Sequence, residues 1–130
     1  MNAQAQTTTP PTATSTVSWR QVLAAVTAVV AAGQLVHAVT MHEFPPAGIV
    51  YGLAMALAAW SVSRSGGRLA IGFAGALHGF ELFNMLFVYG GPAMLANPSA
   101  WQDFVVGVFF IVGTAAGTIA AVGAWRARRS

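Results

Sequence analysis

Four long apolar runs, each bounded by short polar or helix-breaking stretches, divide the chain at about residues 22–41, 46–62, 69–89 and 104–125. A helix needs about 20 apolar residues to cross a hydrocarbon core. In hydrocarbon a backbone satisfies its N–H and C=O groups only in a helix or a closed barrel. The runs are rich in Ala, Leu, Val and Gly and lack period-two alternation, which selects the helix. The pattern predicts an all-α, polytopic membrane protein: four transmembrane helices in an up-down bundle over residues 18–126, with a tail at 1–17 and a basic C-terminus at 127–130.

The punctuation between the runs fits this division. In "HEFPPAGI" Pro45 and Pro46 stop one helix, and Pro46 or Ala47 can open the next. "SRSGGR" makes the second turn, and "GGPAMLANPSAW" carries the strongest cluster of breakers. Ser99 is the expected N-cap of the last helix, with Asp103 near its positive end. Trp19, Trp60, Trp101 and Trp125 fall near the four span boundaries, where amphipathic rings settle at a membrane interface.

Composition agrees with the pattern: 56% of residues are hydrophobic and 7% charged, against about 25% charged in ordinary soluble domains. The formal net charge of +3 sets six arginines against three acids, and the arginines are not gathered into an aromatic-studded basic surface, so no nucleic-acid partner is expected. Arg20, Arg64, Arg68, Arg126, Arg128 and Arg129 all fall on one side of the predicted topology, and Glu43 and Asp103 on the other. The positive-inside rule then places both termini in the cytoplasm. Residues 1–17 hold no charged side chain and read as a disordered cytoplasmic tail. They lack the positive region of a secretory signal, so the first helix is expected to stay in the mature protein. The absence of Lys beside abundant Ala, Gly and Arg points to a bacterial plasma (inner) membrane. With no Cys, disulfides, thiolate nucleophiles and Cys-ligated metals are excluded.

The candidate chemistry lies in "ALHGFELFN", where His78, Glu81 and Asn84 are spaced by three, and in Gln34, His37 and Thr40 on the first helix. The first and third helices run in the same direction, and an offset of about 47 residues pairs Gln34 with Glu81 and His37 with Asn84 in height, leaving His78 level with Ala31. Glu81 then lies about 18 Å above the inner edge of its span. A carboxylate facing lipid would cost about 2.5–3.5 kcal/mol, so both stripes are expected to face inward.

Two readings of these residues follow. In the first, the protein is a small proton- or cation-linked carrier or channel-like protein in which Glu81 binds the ion and Gln34, His37, His78 and Asn84 tune the site. In the second, it is a noncatalytic accessory or assembly subunit of a larger membrane complex, with Glu81 a protonated or His-paired group that joins helices. His42 and Glu43 belong to the outer rim, as solvated loop residues or as a cation-attracting mouth. A metal or haem centre ranks below both, because His-x-x-Glu occurs once and no second intramembrane acid accompanies it. No metal or other cofactor is predicted, and no catalytic motif is present, so the chain is not expected to be an enzyme. Gly75 and Gly79 form one GxxxG, and Gly113 and Gly117 another; both suit close packing within the bundle, or homo-oligomerisation through the fourth span. The lipid bilayer is the one partner common to all these readings.

Overall fold

The computed structural model describes residue 11, residues 16–40 and residues 45–130, without the side chains of residues 45 and 46. His42, Glu43 and most of the 1–17 tail lie outside the described residues. Five helices form: α1 (Trp19–Thr40), α2 (Pro45–Arg64), α3 (Arg68–Phe87), α4 (Gly91–Ala96) and α5 (Trp101–Ala127). Among the described residues there is no strand, and α1, α2, α3 and α5 are each long and apolar enough to cross a membrane. The fold is therefore all-α with four membrane-spanning helices.

Local chemistry sets the helix ends. Before α1, the Ser18 hydroxyl accepts the Gln21 N–H at 3.2 Å and the Gln21 side-chain oxygen accepts the Ser18 N–H at 2.9 Å. This reciprocal capping box starts the helix three residues before the apolar run. At the start of α5 the expected cap is not made. Ala100 occupies the cap position without a side-chain bond, and Ser99 instead donates to Asn97 Oδ1 at 2.5 Å. Asn97 sits two residues away in the turn, within easy reach of the short Ser side chain. The breaker-rich third connection also folds further than its composition suggests, into the short α4. Gly90, at φ 69, turns the chain, and Pro92 falls at the start of the helix, where a missing N–H does no harm.

α1 packs along α2 and α5, while α3 packs along α5 and over a smaller surface along α2; α1 and α3 face each other diagonally. All six arginines gather at one end of the bundle. Arg128 donates to the Gly66 carbonyl in the α2–α3 turn, where Gly66 has φ 53, and the stem of Arg20 packs against the same glycine. Arg64 lies over Trp60 and Arg129 over Trp125, with the guanidinium 5.7 and 5.8 Å from the ring centroids.

The core has two apolar clusters. One, around Leu23, Val62, Ile71 and Ala120, fills the arginine end; the other, around Val30, Met55, Met85 and Phe110, fills the opposite half. Between them, in chain position on α1, α3 and α5, lie Thr27, His78 and Thr114, all fully buried. Small residues draw the helices together around this layer. An added Cβ at Gly75 would stand 3.0 Å from the Ala121 side chain, one at Gly113 2.9 Å from Val30, and one at Gly117 would collide with the His78 ring, whereas Gly79 meets nothing within 4 Å.

Candidate functional site

The central layer is built where α1 and α3 reach across the bundle. Thr27 sits on the inward face of α1, and its hydroxyl donates to the Leu23 carbonyl at 2.6 Å. Its single proton is thereby used, so the 2.9 Å contact with His78 Nε2 requires the imidazole to be the donor. The hydrogen-bond network thus assigns a proton to His78 Nε2. The other ring nitrogen, Nδ1, is buried with no hydrogen-bond partner among the described residues, and it lies against Gly117 of α5. Thr114, on the same helix, satisfies itself by donating to the Phe110 carbonyl at 2.5 Å.

One turn further from the arginine end on α3, and two turns further on α1, Gln34 Nε2 donates to Glu81 Oε1 across a long 3.4 Å. Glu81 is only 5% exposed. From α2, the Tyr51 hydroxyl donates to the Leu77 carbonyl. In an α-helix that carbonyl also accepts the N–H four residues on, which is that of Glu81. Helix α1 therefore reaches the acid itself, α2 bonds the backbone of α3 one turn before it, and α5 lies against the imidazole beneath it. No arginine reaches the carboxyl among the described residues, and Gln34 is its side-chain hydrogen-bond partner.

The structure brings Gln34 and Glu81 together across the 47-residue offset. His78 pairs with Thr27, one turn closer to the arginine end than the Ala31 level. His37 turns its ring edge-on to Phe110 of α5 at 5.8 Å and does not meet Asn84. Asn84 is half-buried; its backbone carbonyl accepts the N–H groups of Val88 and Tyr89 as α3 ends. Thr40 is exposed and bonds back to its own helix through the Val36 and His37 carbonyls. The reason is rotational: each step of three residues falls about 60° short of a full turn, so a three-step stripe leaves the inward face after two steps. A step of seven nearly closes two turns, which is why Thr27 shares a face with Gln34.

Among the described residues no three His, Asp or Glu side chains converge. His37 also stands ten residues above Thr27, the partner of His78, or about 15 Å along α1.

The Thr27–His78 bond gives a direct prediction. Thr27→Val keeps the shape but leaves the Nε2–H in an apolar centre with no acceptor, which destabilises by about 1–3 kcal/mol. The midpoint of thermal unfolding in detergent should fall for Thr27→Val and be largely restored in Thr27→Ser, which keeps the oxygen.

Comparison with protein-family models, with curated proteins and with solved structures finds no match for the chain.

Proposed function

We propose that the protein is a small proton- or cation-linked membrane carrier in which the Glu81 carboxyl takes up and releases the ion. The observation that carries this reading is the company Glu81 keeps. Among the described residues it is the only acid away from a helix end, it is buried among four membrane helices, and its partner is a neutral amide at 3.4 Å. An acid serving only to join helices would gain most from a close ion pair or a His partner. Here His78 is committed to Thr27 instead. Gln34 and the adjacent Tyr51 hydroxyl are neutral groups that tolerate either charge state of the carboxyl.

The proposal includes cytoplasmic termini, supported by the six arginines at one end of the bundle, and a bacterial plasma membrane, supported by the absence of Lys beside abundant Ala, Gly and Arg. It is tested by reconstituting the full chain in liposomes that contain a pH-sensitive dye and imposing gradients of inorganic cations and small organic amines one at a time. A carrier moves protons with at least one of them, faster than protein-free vesicles do. Flat traces across the panel would instead favour the accessory-subunit reading.

A further inference from the structure

Two grooves lie on the outer surface of the bundle at its arginine end. The first, of about 330 Å³, runs between α3 and α5 over Gly72 and Gly75 and ends at Trp125, Arg126 and Arg129. The second, of about 290 Å³, runs between α1 and α5 beside Gly123 and ends at Trp19 and Arg126. Thr118, Val122 and Arg126 border both. The grooves therefore flank a single ridge of α5 and meet at one guanidinium. Thr118 to Arg126 is eight residues, about 12 Å of helix, which is close to the depth of one leaflet's hydrocarbon.

The charge around the meeting point has one sign. Arg126 and Arg129 are exposed, and all six cationic side chains of the chain belong to this end. The two described acids are elsewhere: Asp103 begins α5 at the opposite end, and Glu81 is thirteen residues beyond Arg68 on α3. Trp19 and Trp125 close the charged ends of the two grooves, where indole rings favour the boundary between headgroup and acyl chain.

We propose that this surface binds one anionic diacyl phospholipid, with its phosphate at Arg126 and Arg129 and its two chains in the two grooves either side of the Thr118–Val122 ridge. Two apolar channels converging on one cationic point match a molecule with two chains and one anionic head. A second copy of this chain is a poorer match, because it would set one arginine cluster against another. The site is independent of the ion-binding reading of Glu81.

The test is native mass spectrometry of the full chain released from mild detergent containing phosphatidylglycerol or phosphatidylcholine of the same acyl composition. The expected result is retention of one phosphatidylglycerol in preference to phosphatidylcholine, and a fall of at least about fivefold in that preference for Arg126→Gln. Arg64→Gln removes the same charge from the same end, away from both grooves, and should leave the preference intact. Gly72→Leu, whose first added carbon makes only ordinary contact with Trp125 at 3.6 Å, should fill the first groove and weaken retention without removing charge. Equal retention of the two lipids overturns the proposal. So does an equal loss in Arg64→Gln and Arg126→Gln, which would mean diffuse attraction, or a lipid-free dimer that Gly72→Leu disrupts.

Discussion

Glu81→Gln should bring ion-linked proton movement in reconstituted vesicles down to the rate of protein-free vesicles, while the protein inserts and unfolds much as the wild type does. The two expectations separate function from structure. The substitution is isosteric, and its amide oxygen can still accept from Gln34, so the 3.4 Å contact between α1 and α3 persists. What disappears is a group able to change charge within the buried layer. The volume and the oxygen that accepts from Gln34 are both kept, so a large drop in flux with a small shift in unfolding places the effect on ion binding. Glu81→Asp keeps the charge but shortens the reach to Gln34, and should retain part of the flux. Wild-type flux in Glu81→Gln would remove the acid from the mechanism.

The second large effect should appear at Gly117. A methyl group there would overlap the His78 ring, which cannot withdraw without leaving Thr27 at 2.9 Å. Overpacking of this kind typically costs about 1–3 kcal/mol, and the ring's fixed position sets the upper part of that range as the expectation for Gly117→Ala. Gly79→Ala is the matched comparison. Gly79 belongs to a GxxxG of the same form, yet a Cβ there meets nothing within 4 Å. Its φ is not positive, so the change should stabilise α3 by about 0.4–1 kcal/mol through the unfolded chain. Thermal unfolding of the two variants in one detergent should therefore shift in opposite directions. Equal losses would show that the close approach of α5 to His78 is not what distinguishes the two glycines.

The contrast between these glycines shows what kind of information the chain displays openly. Hydropathy and the arginine positions are properties of long segments, and they are enough to define four spans and gather one charged end. The height of a residue along a helix is also recoverable, because the rise per residue is constant; that is how Gln34 and Glu81 can be matched from numbering alone. Angular position is harder to recover. His37 and Thr40 share a nominal stripe with Gln34 but rotate progressively toward α5 and the surface. Thr27, Tyr51 and Thr114 complete the buried layer without standing out, since single hydroxyls are common in membrane helices and often bond to their own backbone, as Thr27 and Thr114 both do. The available signal was the seven-residue step from Thr27 to Gln34, which keeps both on one face of α1. Gly117 carried no signal of its own, because its meaning depends on which side chain α3 places opposite it.

The most direct measurement of the account is infrared difference spectroscopy of the protein in lipid, recorded as bulk pH is stepped, on wild type and Glu81→Gln. Exchange of a proton at Glu81 predicts a carbonyl stretch from a protonated carboxyl that trades intensity with a carboxylate band in the wild type, with both changes missing in Glu81→Gln. Identical difference spectra for the two proteins would contradict it, because the buried acid would then hold one charge state throughout and could not serve as the exchanging group.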